Sequence, residues 1–309
     1  MIKLMHINDY VVDTSNFSPL LHDKNVDEFE QDIADYVGAK YAVSFHSATA
    51  AIFLALLQEQ KTKITIPSVI PPVVANAIIH SGHQLSYRDD VDWVGDSYVL
   101  HRFEDYKIID SAQRLSKNQY TEQANDEDLM IFSFYPTKPV GSADGGLIVS
   151  NDKNKIDKLR ILSRNGISLE DNSWERRVLV PGWKLYMNSI SAFIANQNFQ
   201  KLEDKMSRYA EARERYNAAF GLENTSEHLY RIRVADNKKF TEDMKQKGIQ
   251  IGIHYKPIHL MEPYKVELEA PLDKSVREGK ITASIPYHEK LTKEEMEYII
   301  REVTPYVTT

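Results

Sequence analysis

The sequence predicts an α/β protein with a largely parallel sheet, followed by a small α+β lobe. Three observations carry that reading. Between residue 28 and about residue 165, short apolar runs alternate with amphipathic ones, the order that lays helices onto a sheet. From Asn188 to Phe220 there is neither proline nor glycine, and Ile190, Phe193, Ile194, Phe199, Leu202, Met206 and Tyr209 recur at roughly helical spacing. Beyond that stretch, short strand-like and helix-like segments return. A helix spanning 188–220 reads as a spine between lobes, so the boundary is expected near residue 200, with a large domain at 1–200 and a small one at 201–309.

Each element has a local reason. Glu28 to Val37 (EFEQDIADYV) is amphipathic and stops at Gly38. Tyr41 to Phe45 is a short strand. Thr49 to Gln60 is a helix, and Pro72 to His80 is another, closed by Gly82. Gln84–Arg88, Tyr98–Phe103, Lys107–Ala112, Leu129–Tyr135 and Gly146–Ser150 read as strands. Lys153 to Ser163 is a helix that stops near Gly166. In the tail come a strand at 228–235, a helix at 237–247, a strand at 249–255 and a final helix from Lys293. Thr292 and Glu295 are placed for a capping box at its start.

Composition narrows the function. The chain has 309 residues, 42% apolar and 27% charged, which is ordinary for a soluble globular protein. A net charge of −7 gives no global basic field for nucleic acid or anionic lipid. There is no cysteine, so disulfides, cysteine-ligated zinc, iron–sulfur clusters and thiol nucleophiles are excluded. The start, MIKLMHINDY, is too polar for a signal peptide, and the longest apolar stretch, Ala48 to Leu57, is far short of a bilayer span. A soluble cytoplasmic protein is expected. His80 and His83 lack a third ligand nearby, so no metal is expected.

The most informative stretch is IFSFYPTKPVGSADGG, residues 131–146. A buried strand ends at a lysine, and small residues follow. Partial burial lowers a lysine's pKa, and the neutral amine can form a Schiff base with a carbonyl. If that carbonyl belongs to pyridoxal phosphate, three further parts are needed. These are a carboxylate for the pyridine nitrogen, an anion cradle for the phosphate, and close backbone approach near the lysine. Asp110 ends the strand YKIID, where α/β sheets place ligand contacts. HSATAAIF places Ser47, Ala48 and Thr49 at a helix start. Ser133 adds a hydroxyl, and residues 141–146 supply the small side chains.

These segments together resemble the DegT/DnrJ/EryC1/StrS sugar aminotransferases, fold-type I pyridoxal phosphate enzymes. SATAAIFLAL, IPSVIPPVVANAI, IIDSAQ, FSFYPTK with ADGG, RNGI, PGWKLYMNSISAFIANQNFQKLE, GIQIGIHYKPIHL and SIPYHEKLTKEE follow in the family's order and cover most of the chain. The resemblance implies a three-layer domain with a mostly parallel sheet. It implies transfer of an amino group from glutamate to a nucleotide-linked keto sugar, and a homodimer with shared active sites. Lys138 would carry the cofactor and move the proton, and Asp110 would pair with the pyridine nitrogen. Gln113 would bond the ring hydroxyl, and Ala48, Thr49 and Ser133 would hold the phosphate. His254, Tyr255 and His259 would line the substrate side.

The chain departs from the family pattern at several points. Pro71 stands where an aromatic ring usually stacks on the cofactor, and Lys184 stands where an Asn usually reaches the partner's phosphate. Between Tyr87 and Asp110 a strand–helix piece is missing. Two other readings therefore stand beside the first: a pyridoxal phosphate enzyme aminating a non-sugar carbonyl, and a non-catalytic family member.

Overall fold

The computed structural model describes residues 1–7, 10, 12–13, 24–168 and 176–308. Among these residues, five strands form the main sheet: β1 (Tyr41–Phe45), β7 (Gly146–Ser150), β6 (Leu129–Ser133), β5 (Lys107–Asp110) and β4 (Tyr98–Arg102), side by side in that order. A separate parallel pair, β2 (Lys63–Pro67) and β3 (Gln84–Arg88), lies beside β4. The intervening helices are α1 (Lys24–Val37), α2 (Ala48–Leu57), α3 (Pro72–His80), α4 (Gln119–Gln123) and α5 (Lys153–Ser163).

Both faces of the sheet are covered, and the strand period of two divides its side chains between them. Ile108, Ile131 and Ile148 join one core with α2, α3 and α5. Ile109, Met130, Phe132, Leu147 and Val149 join the other with α1 and α6 (Ser189–Phe199). Helix α2, ATAAIFLALL, is apolar nearly all round because it packs against the sheet, α3 and α5 at once. Helix α1 buries Val26, Phe29, Ile33, Ala34 and Val37 and also one charge, Glu30. That carboxylate is satisfied: it accepts from the Ser44 backbone N–H at 2.7 Å and its hydroxyl at 2.6 Å, and pairs with Arg160 at 2.7 Å.

The tail has its own core. Helix α7 (Leu202–Phe220), β8 (Tyr230–Arg233), α8 (Asn237–Gln246), β9 (Thr282–Ile285) and α10 (Lys293–Val303) enclose Tyr216, Tyr230, Phe240, Tyr287 and Ile299, with α9 (Asp273–Ile281) leading into β9. The chain start joins this core through Ile2, bridged to Ile249. The capping box of Thr292 and Glu295 is present at α10.

The expected mostly parallel sheet is not found. Among the described residues, three of the four pairings in the main sheet are antiparallel, and β5 with β6 is parallel. Parallel neighbours need a long crossover, usually a helix. Strands β4 and β5 are joined by a tight turn closed by Phe103 N–H donating to the Tyr106 carbonyl at 2.8 Å, and β6 returns to β7 through a loop without a helix. The expected strand at 249–255 is reduced to isolated bridges, Ile249 to Ile2 and Gly252 to Ser284. The expected helix over 188–220 is two helices, α6 and α7, broken at Gln200–Lys201. At the break, Asn198 donates to the Gly141 carbonyl at 2.6 Å, and Lys205 donates to Asn198 Oδ1 at 2.9 Å and to the Pro139 carbonyl at 3.0 Å. These side chains hold the loop just beyond Lys138.

Candidate active site

The C-terminal ends of β5 and β6 and the start of α2 open onto one cavity of about 550 Å³. Asp110 is the last residue of β5, and Ser133 is the last of β6. Open α/β sheets place ligands at such strand ends. The start of α2 is capped by Ser47, whose hydroxyl accepts from Ala50 N–H at 3.2 Å. The first amides of a helix have no intrahelical acceptor, so those of Ala48 and Thr49 are available to an anion. Gly146 lets β7 pass this helix start: a Cβ there would sit 2.3 Å from Ala48 N and 2.5 Å from Ser47 C.

Lys138 sits in a loop pinned from both ends. Its N–H donates to the Tyr135 carbonyl at 2.8 Å, and Ser142 N–H donates to the Phe134 carbonyl at 2.8 Å. The residue as a whole keeps some solvent contact, but its amine is enclosed. Burial pushes the amine down to about 8, against the upward pull of the Asp110 charge. Lys138 Nζ lies 3.2 Å from His228 Nε2. Burial and the lysine charge hold His228 well below its usual pKa, so the ring is neutral and accepts from the ammonium. Burial, Lys138 and Arg231 push His254 down to about 4. His254 Nδ1 is 2.9 Å from the Ser284 hydroxyl.

Asp110 is buried, and burial pushes its carboxyl up. Three features oppose that rise: Ala112 N–H donating to Oδ1 at 3.0 Å, the Tyr98 hydroxyl donating to Oδ2 at 2.9 Å, and the Lys138 charge. Gln113 is held at both ends of its amide. Its Oε1 accepts from Gly95 N–H at 2.7 Å, and its Nε2 donates to the Tyr255 hydroxyl at 3.1 Å. Trp93 lies nearly parallel to Tyr255, 10° between planes and 6.5 Å between centroids.

Of the residues singled out from sequence, Ala48, Thr49, Pro71, Asp110, Gln113, Ser133, Lys138, His254 and Tyr255 all line this cavity. His259 does not: its Nδ1 pairs with the Ser68 hydroxyl, away from the cavity wall. Lys184 is exposed and pairs in a bridge with Arg164, outside the cavity of its own chain. Trp93, Asp144 and His228 also line the cavity, and Tyr98 backs Asp110; sequence reasoning missed their roles. His228 meets Lys138 across 90 residues of chain, and Tyr98 meets Asp110 only through the register of the β4–β5 pair, so neither stands out in the sequence.

The set fits pyridoxal phosphate. One cavity holds an enclosed amine lowered to about 8, a buried carboxylate and an N-terminal helix cradle that a glycine lets the strand approach. Pro71, at the start of α3, offers a flat apolar surface to the same space. Among the described residues, no group of three or more His, Asp or Glu is placed to hold a metal, and no helix is long and apolar enough to cross a membrane.

A model of the DegT/DnrJ/EryC1/StrS aminotransferase family matches residues 5–96 and 106–304. The residues between, 97–105, hold β4 and the turn into β5. The chain is similar to a UDP-4-amino-4,6-dideoxy-N-acetyl-beta-L-altrosamine transaminase of Campylobacter jejuni, 25% identical over 332 residues, covering 89% of this chain and 88% of that protein. Its fold is similar to that of the aminotransferase TlmJ of Streptoalloteichus hindustanus, with a TM-score of 0.82 at 20% identity over 99% of this chain and 98% of the other. It is also similar to Spr1654 of Streptococcus pneumoniae in its PLP form, with a TM-score of 0.80 at 20% identity over 99% and 98% of the two chains.

Proposed function

The chain belongs to the DegT/DnrJ/EryC1/StrS aminotransferase family, whose cofactor is pyridoxal phosphate, and from that premise we propose that it moves an amino group from glutamate to a nucleotide-linked keto sugar. What carries the reading is the meeting of Lys138 and Asp110 in one cavity with the α2 start. The transaminase of a UDP-linked dideoxy sugar among the relatives supports a substrate of that class.

When bound, pyridoxal phosphate supplies a carbonyl to take up amines and a ring to hold electrons. The chain supplies position and proton control. Lys138 Nζ, lowered to about 8, has both its protonated and its neutral form available near neutral pH, so it can take up a proton and return it. Asp110 would hold the ring nitrogen, and Gln113 the ring hydroxyl. Ala48, Thr49 and Ser133 would hold the phosphate. His254 and Tyr255 would face the substrate.

The proposal includes two lobes, 1–200 and 201–309, and a homodimer. Val178 is 65% exposed and Trp183 38% exposed on the segment that carries Lys184, an apolar edge suited to a second copy. Covering it would bring Lys184 toward a neighbour's cavity. Light scattering would test this, with a monomer at micromolar concentration refuting it.

The test of the function is the visible spectrum of the purified protein with added pyridoxal phosphate, before and after glutamate, beside Lys138→Ala. A band of lysine-bound cofactor in the wild type, lost in the variant and bleached by glutamate, is expected. Conversion of a UDP-linked 4-keto sugar to the amino sugar then completes the assignment. No band at generous cofactor concentration would overturn it.

A further inference from the structure

We propose that residues 93–98 form a positioning strap that fixes the two side chains meant to grip the pyridine ring, Asp110 and Gln113, with Tyr98 as its main contact. This rests on the reading of Asp110 as the partner of the ring nitrogen.

The strap follows from the hairpin. Because β4 runs antiparallel to β5, Tyr98 stands directly opposite Asp110 in the register. Opposed residues share a face of the sheet and lie close enough for side chains to meet. The Tyr98 hydroxyl donates to Asp110 Oδ2 at 2.9 Å, while Ala112 N–H takes Oδ1. Tyr98 is buried, and burial with the neighbouring carboxylate keeps its phenol well above its usual pKa, so it stays a donor. Asp110 loses solvation by burial, and each donor restores part of what the ionised form needs.

The same segment orients the amide. Gly95 N–H donates to Gln113 Oε1 at 2.7 Å, which turns Nε2 toward Tyr255. Gly95 has φ +97°, and a Cβ there would sit 2.6 Å from Ser226 Oγ, so only glycine suits the position. Ser226 in turn donates to the Gly95 carbonyl at 3.0 Å. Trp93 anchors the other end: its Nε1–H donates to the Val69 carbonyl at 3.2 Å, and its ring packs 4.6 Å from that of Tyr98. The family match breaks over 97–105, so the Tyr98 contact lies outside the part of the chain aligned with the family. Trp93 and Gly95, at the other end of the strap, fall within the matched residues.

Tyr98→Phe deletes the hydroxyl and keeps the ring against Trp93. Titration of the apoenzyme with pyridoxal phosphate, followed by absorbance, should show binding weakened about tenfold or more, the scale of a lost hydrogen bond to a charged group. A double-mutant cycle with Asp110→Asn separates positioning from packing. With Asn at 110, adding Tyr98→Phe should weaken binding little further; fully additive losses would overturn the proposal. So would unchanged binding in Tyr98→Phe while the wild type binds. A wild type that binds no cofactor would instead overturn the functional reading and the strap with it. Should Tyr98→Phe not fold, 3-fluorotyrosine at position 98, nearly isosteric and a stronger donor, should tighten binding; an unchanged constant overturns the strap.

Discussion

Replacing Gly146 with alanine tests how β7 and the start of α2 share space. The new Cβ would lie 2.3 Å from Ala48 N, 2.5 Å from Ala48 Cα and 2.5 Å from Ser47 C. Unbonded heavy atoms prefer about 3.5–4.0 Å, so strand and helix must part by roughly 1 Å. All three obstructing atoms are backbone, which cannot swing aside as a side chain would. The cost should therefore fall at the upper end of the overpacking range, about 3 kcal/mol. At about 2 °C per kcal/mol for a chain of this size, the apoenzyme should melt roughly 6 °C lower. The same 1 Å takes the Ala48 and Thr49 amides out of hydrogen-bond range of a bound phosphate. Two lost bonds to a charged group, at about 1.5–3 kcal/mol each, correspond to roughly 100-fold weaker cofactor binding or worse. Calorimetry of the apoenzyme and absorbance titration with pyridoxal phosphate read the two effects separately. A melting point within about 1 °C of wild type, with binding within about twofold, would refute the close-approach reasoning.

The remaining predictions concern charge and stability. Asp110→Asn removes the charge that pulls Lys138 upward, so the amine should titrate below about 8. Reductive methylation of Lys138 against pH, read by mass spectrometry, should show its midpoint move to lower pH; an upward shift would contradict an ionised Asp110 beside the amine. Glu30→Ala takes the carboxylate from Arg160, which keeps its bond to the Ala42 carbonyl, and the acceptor from the Ser44 N–H; breaking such a buried pair costs about 3–5 kcal/mol. Its melting point should fall roughly 6–10 °C, and a smaller drop than in Gly146→Ala would argue against that network. Thr292→Ala removes the capping box at α10, worth about 1 kcal/mol by urea denaturation. A neutral result there would mean that burial of Met296, Ile299 and Val303 alone fixes the helix start.

Much of the candidate site was legible because its parts sit at the ends of local elements. Asp110 closes an apolar strand, Ala48 and Thr49 open an apolar helix, and Lys138 follows a strand into a loop of small residues. Strand direction was misread for a physical reason. Alternating strands and helices imply parallel neighbours, because each helix carries the chain back across the sheet. Here that alternation lapses: no helix separates β4 from β5 or β6 from β7. The short gap between the strands ending at Phe103 and starting at Lys107 was the better local signal, since it admits only a hairpin. The break between α6 and α7 left no mark in the periodicity; Asn198 and Lys205, on either side of it, bond to a loop far away in sequence. Tyr98 and His228 became visible only once the fold set them beside Asp110 and Lys138. His259 was drawn to the site by its motif but pairs with Ser68 instead.

The helix break is bonded to the loop that carries Lys138. Lys205, in the first turn of α7, grips both the Pro139 carbonyl and the Asn198 side chain, and Asn198 grips the Gly141 carbonyl. Pro139 is the residue after Lys138. A pivot of α7 about Gln200–Lys201 would thus either release those bonds or drag the lysine's own backbone with it. The break between α6 and α7 and the backbone beside Lys138 share one node of three hydrogen bonds.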